Sequence, residues 1–263
     1  MIQRIWAAYL VEWSKVLRLK RMYLSLLLVA MAILCSPLLR PIEQDGVGDY
    51  GFIAYVTPLS MNVLGFFLVL AFSGGLISTE MTSGTIRMIL TRPIHRWEWV
   101  MAKVMLGLTF AITMMVLVSV LSWGLVLVLG DLTGVTFGGE IRSSHGEMVT
   151  AYLLGLGLSF GPMAAGVAYA LAISSITKSP IASVMAAVGL WLAVDFLKNP
   201  LGIEAFVFTS YLEMPWQQFA NRCDGIGVED SALLVPLLLT SAATFVAGVL
   251  IAMMSIGRRD FSR

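Results

Sequence analysis

The feature that most limits the fold of this chain is a set of six long apolar segments. A helix needs about 20 residues to cross the hydrocarbon core of a bilayer, and each segment approaches or exceeds that length. The segments fall near residues 22–39, 57–78, 98–129, 148–176, 180–197 and 232–256. Because 58% of all residues are hydrophobic and only 13% are charged, the composition lies outside the range of soluble proteins. The sequence therefore predicts an all-α membrane protein with six transmembrane helices in a single domain.

The distribution of positive charge predicts how these helices are oriented. Lysine and arginine are concentrated in the short cytoplasmic loops of membrane proteins, and an even number of spans places both termini on one side. Of the 17 lysines and arginines, only Arg40, Arg142, Lys198 and Arg222 fall on the opposite side. We therefore expect a multi-pass protein of the cell (inner) membrane with both termini in the cytoplasm. A net charge of +1 gives no reason to expect nucleic acid as a partner.

Residues 2–20 predict an amphipathic helix ahead of the first span. Its apolar stripe consists of Ile2, Trp6, Tyr9, Leu10, Trp13, Val16 and Leu17. The face opposite this stripe is assigned Arg4, Glu12, Lys15 and Arg18. Tryptophan combined with lysine and arginine is typical of helices that lie at a membrane–water interface. We therefore expect an interfacial helix rather than an extension of the first span.

The connector between the second and third spans, residues 77–103, is more apolar than a plain loop. Ile86, Ile89 and Leu90 recur at helical spacing, which predicts a short helix with an apolar face outside the membrane. Such a face needs something to cover it. Two covers are compatible with the pattern: lipid headgroups, or the surface of a cytoplasmic partner.

Both ends of this short helix carry recognisable signals. Gly84 and Thr85 are typical of a helix stop followed by the N-cap of the next helix. Arg92 precedes Pro93, and the residue before a proline is disfavoured in helical conformation, so the short helix is expected to end there.

The same connector resembles the loop after the second span in permease subunits of type-2 ABC transporters. The resemblance rests on a set of residues that must all be in register: Glu80, Gly84-Thr85-Ile86-Arg87, Leu90, Thr91-Arg92-Pro93-Ile94, Arg96 and Lys103. His95 stands where many relatives have serine. In that family the segment is the coupling helix, which binds in a groove of the ATP-binding subunit. The motif covers about a tenth of the chain, and the layout of the spans extends the resemblance to the whole permease domain, residues 1–263.

The resemblance implies the functional residues and the partners. Coupling to the ATPase is expected within residues 80–96, at Glu80, Gly84, Thr85, Ile86, Arg87, Ile89, Leu90, Arg92 and Pro93. Lys178, in the second inner loop, is expected to make a minor contact with the ATPase, and the helix at 2–20 is similar to the elbow helix of the family. The implied function is that of a permease subunit in an ATP-driven exporter. It would pair with a second permease copy or a related permease, and ATP and Mg would bind to the partner subunit.

The outer segment 199–231 is too apolar for a solvated loop. In relatives the corresponding segment forms short re-entrant helices at an outer gate, whereas a pair of interfacial helices would bury the same residues. Both arrangements agree with the sequence. Re-entrant backbone is possible in the membrane where it is shielded by protein or lines a cavity. Phe208 and Tyr211 in this segment are candidates for the transport path or gate.

Two polar residues inside apolar runs are further candidates for the transport path. For Asn62, in the second span, a hydrogen bond to a neighbouring helix is the simpler interpretation. Asp195 lies about one helical turn from Lys198 near the outer end of the fifth span, so interfacial pairing is the simpler interpretation there. An ionisable group within a span is nevertheless a functional candidate.

Two other functions agree with parts of the sequence. Gly157-Leu158-Ser159-Phe160-Gly161 matches the G-x-S-x-G pattern and would suggest an intramembrane serine hydrolase centred on Ser159, but a nucleophile elbow needs a preceding strand. An ion-coupled secondary transporter is the other alternative, and the few charges within the spans argue against it. The sequence contains no G-x-x-x-x-G-K-[ST] motif and no Cys/His cluster. We therefore expect no catalysis, metal or cofactor in this chain, with ATP hydrolysis in a separate subunit.

Overall fold

Helices account for most of the chain in the computed structural model, which describes residues 2–40, 42, 49–84, 95–130, 132, 134–137, 140–226 and 231–258. The helices are α1 (Ile2–Leu17), α2 (Lys20–Cys35), α3 (Tyr50–Pro58), α4 (Phe66–Leu76), α5 (Ser78–Thr82), α6 (Arg96–Leu129), α7 (His145–Ile176), α8 (Pro180–Leu197), α9 (Ser210–Cys223) and α10 (Ser231–Arg258). A π-helical turn, Leu59–Gly65, joins α3 to α4, and 3-10 turns occupy Ser36–Leu38 and Glu204–Phe206. Strands β1 (Val135–Phe137) and β2 (Glu140–Ser143) form an antiparallel hairpin that the all-α prediction did not include.

Six helical stretches among the described residues are long and apolar enough to cross a membrane, as predicted. They are Lys20–Leu38, Tyr50–Thr82, Arg96–Leu129, His145–Ile176, Pro180–Leu197 and Leu234–Arg258. The largest difference from the predicted limits concerns the second stretch, which begins at Tyr50 and not near residue 57. There α3, the π-helical turn, α4 and α5 follow one another with only Ile77 between α4 and α5, and we call this stretch the central rod.

The chemistry of the helix ends explains several of these limits. Before α7, the side chain of Ser144 accepts a hydrogen bond from the N–H of Glu147, and the Glu147 carboxylate accepts one from the N–H of Ser144. This reciprocal capping box satisfies N–H groups that a helix start leaves unpaired. Ser179 caps α8 and is followed by Pro180 at the first helical position, where a missing N–H has no effect on the helix.

Helix α7 and the central rod form the middle of the bundle. In the most apolar part of each span, 61% of the residues are buried in α7 and 67% in the central rod, compared with 17–28% in the other four spans. Helix α7 packs against α10, α4, α9, α6 and α8, and its contact with α10 is the most extensive in the structure. This contact is close because Gly248 of α10 lies directly on the backbone of Ala168. The four outer spans leave most of their apolar surface to lipid or to other membrane helices.

Substitution of Gly248 tests this packing. A Cβ added at Gly248 would lie 2.7 Å from the carbonyl group of Ala168, so α7 and α10 must move apart to accept it. We expect Gly248→Ala to destabilise the solubilised protein by about 1–3 kcal/mol, in the range of other overpacked sites. Gly189→Ala on α8 is the matched control, because no described atom lies within 4 Å of its added Cβ. Thermal unfolding should give a lower midpoint for Gly248→Ala alone, and equal midpoints for both variants would contradict the packing.

Candidate functional site

The predicted coupling segment lies mostly outside the described residues, which omit 85–94. Its predicted contact residues Thr85, Ile86, Arg87, Ile89, Leu90, Arg92 and Pro93 therefore remain predictions. The structure does describe both flanks of the segment, with α5 on one side and α6 on the other. Gly84 follows α5 with φ of +70°, the left-handed conformation in which helices commonly end, so the predicted helix stop is confirmed.

The two flanks of the segment are joined by a buried ion pair. Lys103 Nζ of α6 lies 2.6 Å from Glu80 Oε1 of α5, and the same ammonium group also pairs with Glu12 Oε2 of α1. The Lys103 side chain is only 2% exposed. The indole ring of Trp99, one turn earlier on α6, has its centroid 5.5 Å from Nζ, a distance at which a cation is attracted to the ring face. A single ammonium group thus connects α1, α5 and α6.

Lys15 of α1 completes an electrically balanced ionic cluster, which consists of Glu12, Lys15, Glu80 and Lys103. Its Nζ lies 2.6 Å from Glu12 Oε1 and 3.5 Å from Glu80 Oε1. Burial would raise the pKa of Glu12, but the charge and hydrogen bond of Lys103, with those of Lys15, outweigh burial and hold the pKa below its usual value. Burial would lower the pKa of Lys15, but Glu12 and Glu80 raise it above its usual value. The Glu12–Lys15 pair is therefore ionised throughout the neutral pH range.

The position of Glu12 corrects the sequence-based assignment of this residue to the face opposite the apolar stripe. Its side chain is only 6% exposed. Glu12 follows Tyr9 by three residues and precedes Val16 by four, and both neighbours are buried on the side of α1 that packs against α6. This spacing is the signal in the sequence that could have revealed a buried carboxylate. The Tyr9 hydroxyl lies 2.9 Å from Thr109 Oγ1 and adds a second polar contact between the two helices.

Hydroxyl groups also connect α5 to the turn between α7 and α8. Thr82 Oγ1 donates a hydrogen bond of 2.8 Å to the backbone carbonyl of Lys178. Ser174 Oγ accepts a 3.0 Å hydrogen bond from the N–H of Ser78. The two predicted inner loops are therefore neighbours in space, which agrees with a shared contact surface. A contact of the Lys178 side chain with an ATPase stays a prediction.

A third set of contacts attaches the start of α6 to the end of α10. Arg96 Nη1 donates hydrogen bonds to the backbone carbonyls of Ile256 and Gly257 at the end of α10, at 3.2 and 3.0 Å. These carbonyls belong to the last turn of a helix, where they have no partner within the helix and attract cations. Both flanks of the coupling segment are thus attached to several helices of the bundle.

Asn62 lies in the wall of a cleft between the central rod and α9. The cleft has a volume of 290 Å³ and is also lined by Glu213, Trp216 and Gln217. Neither Nδ2 nor Oδ1 of Asn62 has a hydrogen-bond partner among the described residues, and the same holds for Trp216 Nε1. The hydrogen bond to a neighbouring helix that the sequence favoured is therefore not made within the part of the chain that the structure describes. Buried polar atoms without a partner are rare and mark places where water or a ligand can bind.

The backbone around Asn62 is also unusual. Pro58 lacks the N–H that would continue the helical ladder, and the π-helical turn Leu59–Gly65 follows it directly. Single turns of π-helix are rare and occur frequently at functional sites. The wider turn changes the direction in which side chains leave the central rod, and Asn62 is one of the residues affected.

The two predicted candidates in the outer segment pack within the protein. Phe208 is buried, and its ring centroid lies 6.2 Å from that of Phe66 and 6.3 Å from that of Tyr169. The Tyr211 hydroxyl donates a 3.0 Å hydrogen bond to the carbonyl of Ala205. Neither residue lines the cleft at Asn62. Helix α9, which follows Phe208, packs against α7 and α3 and forms the other wall of that cleft.

Asp195 forms an ion pair with Lys198, which was the simpler of the two interpretations of this residue from the sequence. Lys198 Nζ lies 2.6 Å from Asp195 Oδ1, one turn away on the same helix. The carboxylate is 40% exposed, so the pair resembles a surface ion pair, which contributes little to stability. The described contacts of Asp195 give no support for a role in a transport path.

Ser159 is a helix residue and lacks the geometry of a hydrolase nucleophile. Its Oγ donates a 2.8 Å hydrogen bond to the carbonyl of Gly155 on the preceding turn of α7. The chain is helical on both sides of Ser159, whereas a nucleophile elbow requires a strand followed by a sharp turn. Within the described ranges, no group of three or more His, Cys, Asp or Glu side chains is placed to hold a metal ion.

Comparison with known proteins gives one clear relationship. No curated protein matches the chain. A family model described as ABC-2 family transporter protein matches residues 7–246. The match begins within α1 and continues into α10, so it includes the ionic cluster, both inner loops and the cleft at Asn62. Because it covers far more than half of the sequence, the chain belongs to the ABC-2 family of transporter membrane proteins.

Proposed function

We propose that this protein is the permease subunit of an ATP-driven exporter, and that residues 80–96 couple it to a separate ATP-binding subunit. The observation that carries this proposal is the buried ion pair between Glu80 and Lys103, on either side of the segment, in a chain of the ABC-2 family. Members of this family are non-catalytic membrane subunits without a cofactor, and they act together with an ATP-binding subunit. Neither a serine hydrolase nor an ion-coupled carrier fits this membership.

The attachment of the flanks gives the coupling proposal a physical basis. A loop with free ends would absorb a displacement by bending. Here the Glu80–Lys103 ion pair closes the base of the loop, and Thr82 and Arg96 attach the two flanks to the turn before α8 and to the end of α10. A displacement of the segment by a partner would therefore pass into the helices of the bundle.

The orientation and the assembly are parts of the same proposal. Among the described residues, most lysines and arginines fall on the side of the spans that carries the ionic cluster, which favours a cytoplasmic position for both termini. One chain offers one coupling segment, whereas ATP sites in this transporter class form between two nucleotide-binding subunits, so we expect a pair of permeases. The outward direction of transport rests on the analogy with type-2 exporters.

We infer further that the transport path passes the cleft at Asn62. Asn62 and Trp216 belong to the lining of a cleft whose other walls are mostly apolar, and they contain three buried polar atoms without a hydrogen-bond partner among the described residues. Glu213 and Gln217 add polar groups from α9. Such a lining suits a cargo with an apolar body and a few hydrogen-bonding groups. Phe208 and Tyr211 would act indirectly in this arrangement, by holding α9 and the segment before it in place.

Ile89→Asp tests the coupling contact. If Ile89 belongs to the apolar face that the ATP-binding subunit covers, a charged and unpaired carboxylate there costs about 2–4 kcal/mol. Association should weaken by between about tenfold and a thousandfold. Insertion into the membrane should survive, because residue 89 lies outside all six spans. The measurement is the amount of ATP-binding subunit that co-purifies with an equal amount of permease.

Ile226→Asp is the matched control for this experiment. Ile226 is 56% exposed and follows α9, outside the six spans and outside both predicted inner loops in sequence. The Ile226→Asp variant should bind the ATP-binding subunit as the unmodified chain does. Normal co-purification by Ile89→Asp would refute the coupling contact, whereas equal losses in both variants would point to misfolding.

Cysteine accessibility tests the proposed path without knowledge of the cargo. In a chain whose Cys35 and Cys223 are replaced by serine and alanine, we expect Asn62→Cys to react with a small, hydrophilic thiol reagent. Reaction requires the thiolate and therefore contact with water. Val69→Cys is the control, since Val69 is fully buried on the same rod and does not line the cleft. A labelling rate at least tenfold higher for Asn62→Cys is expected, and equally slow labelling of both would exclude a water-accessible path.

A further inference from the structure

One member of the ionic cluster, Glu12, is not needed to close the base of the coupling segment. The Glu80–Lys103 pair alone would join the two flanks, yet Glu12 reaches the same ammonium group from α1. Both oxygens of Glu12 are used, because Oε1 accepts from Lys15 and Oε2 accepts from Lys103. Glu80 offers only Oε1 to the lysines, and its Oε2 has no hydrogen-bond partner among the described residues. Glu12 is therefore the more completely bound of the two carboxylates.

Stability by itself does not explain such a cluster. The removal of water from four charged groups offsets most of their attraction, and a well-packed apolar contact often holds helices together at least as well. A buried ion pair does, however, penalise displacement. If α1 moved away from α6, a dehydrated charge would be left without its partner, which is strongly unfavourable. The cluster thus requires α1, α5 and α6 to keep their relative positions.

We propose that Glu12 is a positioning residue for ATP-driven transport, which through Lys103 makes α1 move together with the two flanks of the coupling segment. The proposal rests on the coupling function proposed above, because the movement must come from the ATP-binding subunit. Helix α1 presents Trp6 and Leu10, 53% and 48% exposed, on its outer side. If α1 moves, the apolar surface that these two side chains form therefore moves relative to the spans.

A distance measurement on the assembled transporter tests this coupling directly. One spin label is placed at the exposed Ser14 of α1 and another at Phe206, which is 82% exposed in the 3-10 turn before α9, an element outside the attachments of the two flanks described above. The permease, with its native cysteines replaced, is reconstituted with its ATP-binding subunit in lipid nanodiscs. Pulsed electron spin resonance then gives the distance distribution without nucleotide and with ATP and vanadate. We expect the distribution to shift when nucleotide is trapped.

Glu12→Gln removes the charge but keeps the shape of the side chain. In this variant we expect the nucleotide-dependent shift to fall to less than half, while co-purification of the ATP-binding subunit and its ATP hydrolysis stay within twofold of the unmodified complex. Asp195→Asn is the control, since it breaks the exposed Asp195–Lys198 pair outside the cluster and should leave the shift unchanged. Failure of the unmodified chains to associate would instead refute the coupling function itself.

A second variant separates positioning from folding. Lys103→Met leaves two carboxylates opposite one lysine, so we expect a several-fold loss of folded protein in the membrane. Combining it with Glu12→Gln leaves Lys15 and Glu80 as a balanced pair and should restore most of the abundance. In the double variant the nucleotide-dependent shift in distance should still be less than half of that in the unmodified complex. A full shift in either Glu12→Gln or the double variant, or no shift in the unmodified complex, would overturn the proposal.

Discussion

The burial of one lysine determines the arrangement of one end of this protein. An ammonium group without water is tolerated only where carboxylates and hydrogen bonds replace its hydration. Lys103 meets this requirement with Glu12 from α1 and Glu80 from α5, so α1, α5 and α6 must converge on it. This convergence fixes α1 along α6 and closes the base of the coupling segment. Few other contacts in the structure place such specific demands on so many elements.

The central rod connects this end to the cleft. Asn62 and Glu80 lie on the same continuous stretch, Tyr50–Thr82, about five helical turns or roughly 27 Å apart. The rod is the most deeply buried span, and its contacts with α7 and α8 leave little room for bending. A displacement at the ionic cluster can therefore reach the wall of the cleft along a single span. One of its irregularities, the π-helical turn after Pro58, contains Asn62, whose side-chain polar atoms have no hydrogen-bond partner among the described residues. The other lies at Ile77, between α4 and α5.

Features encoded by near neighbours in sequence could be predicted, and features that depend on distant partners could not. The six apolar helices, the stop at Gly84 and the pairing of Asp195 with Lys198 follow from composition, periodicity or one-turn spacing. Lys103, which pairs with Glu12 across the helix contact, lies on another helix, and a single sequence does not reveal such pairs. For the same reason the sequence favoured a hydrogen bond for Asn62, because only the packing of α9 shows that a cleft is there. The hairpin of β1 and β2 was missed because both strands are very short.

The contact between the coupling segment and an ATP-binding subunit can be measured most directly by photo-crosslinking. A photoreactive phenylalanine derivative is introduced at position 89 or, as the comparison, at position 226, and the membranes are illuminated. The predicted result is an adduct at position 89 that contains a polypeptide with the G-x-x-x-x-G-K-[ST] motif, identified by mass spectrometry, and no such adduct at position 226. Crosslinks from position 89 to lipid alone would contradict the coupling role of the segment and the function proposed for this protein.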